Sequence, residues 1–130
     1  MEDYFVAVKF AFSVIVSVLI SALGGMDNMF VLLLLLIATD FFTGFIKAVS
    51  EKNLDPNKMF MGGIKKIMIL VVVFVAFQLE KGFGTNLNLR GISITYYVIT
   101  EAISVFANIA VFTTVPPEIT KYLKGFNNKK

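Results

Sequence analysis

The chain has 130 residues, 57% of them hydrophobic, with a mean hydropathy of +0.79 and a net charge of +3. An ordinary soluble domain is about 45–50% apolar, and so short a chain has too much surface for its volume to hide the excess, so the composition specifies an integral membrane protein. The absence of Cys and His excludes disulfides, thiolate metal sites and the commonest general base, and the absence of Trp leaves any interfacial aromatic belt to Tyr and Phe.

The first apolar stretch runs from Tyr4 to Leu23. About 20 residues at 1.5 Å each suffice to cross a hydrocarbon core of about 30 Å. A cleaved signal peptide needs a basic start, whereas this chain begins Met1-Glu2-Asp3, so the segment reads as retained. Lys9, Ser13, Ser17 and Ser21 recur every four residues and form a polar stripe. That stripe is either a close-packing face between helices or a face that wets when subunits rearrange. A helix lying in the interface is the third reading. Gly24-Gly25-Met26-Asp27-Asn28 is a turn.

The second span runs from about Met29 to Val49. Its run Leu32 to Leu36 is featureless, but Asp40 follows near the bilayer midplane. Thr43, Gly44 and Lys47 share its face at i+3, i+4 and i+7. Lys47 reaches the headgroups by snorkelling, and Gly44 admits a close neighbour. In the loop Ser50 to Lys66, Asp55-Pro56 reads as an N-cap and first helical position, opening a short interfacial helix that Gly62-Gly63 ends. Lys47, Lys52, Lys58, Lys65 and Lys66 make this loop cytoplasmic by the positive-inside rule.

The third span is Ile64 to about Leu79. Lys65 and Lys66 stand at its cytoplasmic mouth, as topology and lipid-contacting residues, and its centre reads as a lipid-facing scaffold. The polar loop Glu80 to Asn86, reaching Arg90-Gly91, reads as outside. The fourth span is about Ile92 to Val115, with Glu101, Ser104 and Asn108 on one face that Tyr97 extends. Pro116-Pro117 ends it. The segment 116–130 is then a basic cytoplasmic tail with a short amphipathic piece, whose Lys121 and Lys124 contact anionic lipid. The fold expected is an all-α integral membrane bundle of four transmembrane helices in one domain, with both termini cytoplasmic. If the first stretch does not span, three helices remain and the N-terminus changes side.

Asp40 and Glu101 are the informative residues. An acid deep in lipid costs about 2.5–3.5 kcal/mol even on the lenient insertion scale. Three readings compete. The acids pair with Lys or polar groups of neighbouring helices, line a water-filled lumen between subunits, or bind a proton or cation in a transporter. No nucleotide loop, metal cluster or nucleophile–base arrangement is present, so no cofactor, metal, enzymatic activity or nucleic-acid partner is expected.

The succession Leu35 to Ala48, LLIATDFFTGFIKA, resembles the phage lysis and toxin-secretion holin family of Gram-positive bacteria and their phages. Gly63-Ile64-Lys65-Lys66, the stretch Glu101 to Asn108 and the Pro-containing approach to a Lys-rich tail extend the resemblance in order. It implies a protein that oligomerises with itself in the bacterial cytoplasmic membrane. At a set time such a protein opens a lesion that releases an endolysin or exports a toxin, without stably binding either. The polar faces Asp40, Thr43, Gly44, Lys47 and Glu101, Ser104, Asn108 are the pore or oligomer face on that reading, and Lys9, Ser13, Ser17 and Ser21 a packing stripe. A small dimeric channel or proton-coupled transporter using Asp40 and Glu101, and a structural membrane subunit, remain as alternatives.

Overall fold

The computed structural model describes residues 1–84 and 86–128, with side chains through residue 125. Five helices follow one another among the described residues: α1 Glu2–Ala22, α2 Asn28–Ser50, α3 Pro56–Phe83, α4 Leu89–Ile109 and α5 Pro117–Asn128. The first four are long and apolar enough to cross a membrane. Their 21, 23, 28 and 21 residues correspond to about 31, 34, 42 and 31 Å. Thr85 of the expected outer loop, and Lys129 and Lys130 of the expected tail, lie outside the described residues.

Two helix boundaries differ from the expectation for identifiable reasons. Gly62-Gly63 does not end an interfacial helix, because α3 is continuous from Pro56 to Phe83. A helical Gly weakens a helix by about 1 kcal/mol relative to Ala. An opened backbone amide in lipid costs several kcal/mol, so the helix runs through. Its start is as expected: the Asp55 side chain accepts from the Asn57 N–H at 2.9 Å, and Pro56 stands at the first position. Helix α4 stops at Ile109 rather than Val115. The residues that follow are Val111-Phe112-Thr113-Thr114-Val115, β-branched and aromatic, and Val115 precedes a proline, which disfavours its helical conformation. At its other end α4 begins at Leu89, because the Asn88 side chain accepts from the Gly91 N–H at 2.9 Å.

Helix α4 is the hub. Helices α2 and α3 pack along it and scarcely meet each other. Phe30 and Leu33 of α2, Ile69 and Val73 of α3, and Ile94 of α4 form the apolar core. These positions belong to helical stripes of three- and four-residue spacing. Continued along α2, the stripe Phe30, Leu33, Ile37 arrives at Asp40; along α4, Ile94 and Val98 lead to Glu101 and Val105; back along α3, Ile69 leads to Lys66. One half of the bundle therefore presents hydrocarbon to its axis and the other half presents charge.

Helix α1 stands outside this bundle. None of its residues is buried, and it packs only on α3. Its C-terminal end is nonetheless tied down. Gln78 Nε2 donates to the Ala22 carbonyl at 3.0 Å. The buried Arg90 donates from Nε to the Leu23 carbonyl at 2.5 Å, from Nη2 to the Gly25 carbonyl at 2.9 Å and from Nη1 to Asp27 at 2.6 Å. The Arg90 backbone N–H is itself held by Glu80 at 2.9 Å. Gly24 and Gly25 both turn with φ near +95°, and a Cβ on Gly24 would run into the Arg90 side chain. Arg90 thus fastens the α1–α2 turn onto the start of α4.

Removing that guanidinium, as Arg90→Leu, leaves two carbonyls and a carboxylate without their donor. It should lower stability in detergent by on the order of 3 kcal/mol, read by thermal unfolding. Asp27 adds an acid-side signature. The Arg90 hydrogen bond, then the Phe30 N–H, hold its carboxyl below the usual 3.8. Its contribution is complete above pH 3.8 and is lost as the pH falls through the lower folded value. Asp27→Asn should flatten that part of the stability–pH curve; an unchanged acid slope would contradict the assignment.

Candidate functional site

The three inward stripes meet in one polar cluster. Asp40 of α2, Lys66 of α3 and Glu101 of α4 contribute one charge each. The Lys66 ammonium donates to Asp40 Oδ2, and to Glu101 Oε2 at 2.5 Å. Asp40 and Glu101 retain only 7% and 6% of their exposure, which sets the contact apart from a surface ion pair. Asn108, two turns beyond Glu101, completes the cluster. Its Nδ2 donates to Asp40 Oδ1 at 3.0 Å and to Thr43 Oγ1 at 3.1 Å. The Thr43 hydroxyl donates onward to the Thr39 carbonyl at 2.8 Å. Among the described residues no buried side-chain nitrogen or oxygen lacks a partner, as a low-dielectric interior requires.

A cleft of about 410 Å³ leads from this cluster to the α2–α3 loop. Asp40, Gly44, Lys66, Ser104 and Asn108 lie at its deep end, and Lys47, Glu51, Asp55 and Lys58 line the remainder. It exists because α2 and α3 both lean on α4 and leave a gap between themselves.

The residues singled out in the sequence divide clearly. Asp40, Thr43 and Asn108 are hydrogen-bonded to one another, Glu101 joins them through Lys66, and Gly44, Lys47 and Ser104 line the same cleft. A Cβ on Gly44 would meet Asn108 at an ordinary 3.5 Å, so the close approach does not demand glycine. Lys65 is exposed on α3, and Lys121 and Lys124 are exposed on α5. Lys9, Ser13, Ser17 and Ser21 are exposed along α1, with no helix of this chain covering them.

Lys66 is the correction. Expected with Lys65 at a lipid-facing mouth, it turns into the bundle and binds both acids, and α3 is accordingly not a plain scaffold helix. Adjacent residues of a helix point about 100° apart, so Lys65 and Lys66 were bound to part company. The spacing Lys66, Ile69, Val73 carried the signal. The Arg90–Asp27 fastening was also missed, although Arg90 is the single arginine of the chain and Asp27 the single charge in its turn.

The description "Bacteriophage holin family" fits residues 17–128, which include the whole cluster. The chain belongs to the bacteriophage holin family. Among relatives of this family member, an uncharacterised 14.9 kDa protein of Clostridium perfringens is 35% identical over 109 residues, 82% of this chain and 83% of that protein. The protein YqxH of Bacillus subtilis is 31% identical over 104 residues, 76% of this chain and 71% of its own. A protein of Bacillus phage phi105 described as "Probable holin" is 30% identical over 93 residues, 71% of this chain and 69% of its own. No solved structure matches the chain.

In this holin-family chain two carboxylates depend on one ammonium. Lys66→Leu leaves both acids buried without a cation and should destabilise the bundle by about 3–5 kcal/mol. Adding Asp40→Asn and Glu101→Gln to Lys66→Leu should recover most of that loss, because a neutral cluster needs no counter-ion. Denaturant unfolding in micelles compares the two, and equal instability of single and triple variants would contradict the ion-pair account.

Proposed function

We propose that this chain is a pore-forming holin. Copies accumulate in a bacterial cytoplasmic membrane as multi-pass proteins with both termini inside. They oligomerise, and they open at a set moment to let an endolysin, or an exported toxin, reach the wall. Membership of the bacteriophage holin family supports the class. The observation that carries the mechanism is that the polar faces Asp40–Thr43 and Glu101–Asn108 are turned towards each other inside one copy and bridged by Lys66.

A copy in that arrangement offers lipid an apolar exterior and stays inert. If assembly separates α2 from α4, the same faces become available to line water between subunits. Asp40, Glu101, Ser104 and Asn108 are then the lumen candidates. Any charge that crosses the field in this step couples it to membrane potential, at about 2.3 kcal/mol per charge per 100 mV. The transporter reading needs a carboxylate free to exchange a cation. Both acids here already hold Lys66, which favours the holin reading.

Controlled expression in a bacterium should stop growth abruptly and release a cytoplasmic enzyme. High membrane levels without leakage would sink the proposal. Asp40→Leu should shift the time of lesion onset at equal membrane abundance, and an unchanged onset would remove Asp40 from the mechanism.

A further inference from the structure

The polar cluster stands to one side of the membrane. Arg90 binds Asp27 through its side chain and Glu80 through its backbone N–H. These three residues therefore mark one level, at the start of α4, the start of α2 and the end of α3. Counted from that level at about 1.5 Å per residue, Glu101 lies about 17 Å along α4, Asp40 about 20 Å along α2 and Lys66 about 21 Å along α3. Lys47 lies about 30 Å along α2, the thickness of a hydrocarbon core. The cluster is thus about 10 Å from the face where α2 and α3 are joined, rather than at the midplane.

The cleft between α2 and α3 bridges that distance. Glu51, Asn53 and Asp55 at its mouth lie beyond Lys47, and Gly44, Ser104 and Asn108 lie at its deep end. Its charged and amide lining suits water, and about 410 Å³ has room for on the order of ten waters. The Lys66 side chain keeps 19% of its exposure, so the cluster is not sealed from the cleft. Seven residues further along each helix, access ends. Asp40 is followed by Leu33, Lys66 by Val73 and Glu101 by Ile94, which are 0%, 0% and 1% exposed. Seven residues are two turns, so these three side chains form one apolar layer about 10 Å beyond the cluster.

We propose that in the closed copy cytoplasmic water reaches the Asp40–Lys66–Glu101 cluster through this cleft, and that the layer Leu33–Val73–Ile94 beyond it is the gate that keeps the membrane sealed. The inference rests on the holin reading for what opens, and on its orientation for which side is wet. Ionised groups within spans face a bundle interior or a water-filled cavity, and this cluster has the interior on one side and the cleft on the other. The barrier to ions is then the apolar length between the cluster and Arg90, not the whole bilayer. Packed aliphatic side chains there exclude water, as hydrophobic constrictions do in channels. Opening parts these three side chains, while the charged cluster stays solvated from the cytoplasm throughout.

The chain has no cysteine, so single thiols report access. Ser104→Cys and Gly44→Cys place one in the cleft, where Gly44 has room for a Cβ. Leu33→Cys and Val73→Cys place one in the apolar layer, and Glu51→Cys places one at the mouth. Two positions at each depth guard against one variant misfolding. Each full-length variant is held in membranes below the lytic level and treated with a charged, membrane-impermeant thiol reagent. Inverted vesicles present the cytoplasmic face and spheroplasts the outer one. Both cleft thiols should label at least tenfold faster from the cytoplasmic face. Leu33→Cys and Val73→Cys should label from neither face, and should become reactive when the lesion opens. Silent cleft thiols beside a reactive Glu51→Cys are the result for a cleft that is shut or filled by lipid, and they overturn the proposal. So do cleft thiols that label from the outer face, layer thiols that label in sealed membranes, or layer thiols still silent after lysis. The closed pattern without lysis defeats the holin reading alone, whereas lysis with a different pattern defeats the gate alone.

Discussion

Three helices hang on one ammonium. Lys66 reaches from α3 to Asp40 on α2 and Glu101 on α4, and it does so where α2 and α3 otherwise scarcely meet. In lipid there is little hydrophobic drive to bring helices together, so packing and polar contacts decide which faces meet. The apolar half of the bundle, around Leu33, Val73 and Ile94, holds through close packing and has no charge to lose. The other half is held by Lys66 between the acids and by Asn108 on Asp40 and Thr43. Buried ion pairs of this kind add little net stability yet are severe when one partner leaves. Such a contact favours two discrete arrangements over a graded one.

The two ends of the bundle therefore differ in kind. At one end Arg90 satisfies the carbonyls of Leu23 and Gly25 as well as Asp27, and those acceptors are part of a turn that needs them. At the other end α2 and α3 leave a cleft, where two acids share one lysine. The position of α1 agrees with that division, since it is fixed at the Arg90 end and uncovered along its length.

Much of this was legible in the sequence. Four apolar segments, the Gly24-Gly25 turn and the Asp55-Pro56 start follow from composition and local chemistry. Asp40, Thr43, Glu101 and Asn108 stood out because helical spacing put each pair on one face. What stayed hidden was long-range. Lys66 and Lys65 are alike in sequence, and only the phase of α3 decides that one faces lipid and the other two acids. The phase was obscured by reading Gly62-Gly63 as a break, which cut Lys66 off from the turn before it. Arg90 was missed for the same reason in reverse: it was assigned to a loop, and its three acceptors lie more than sixty residues earlier.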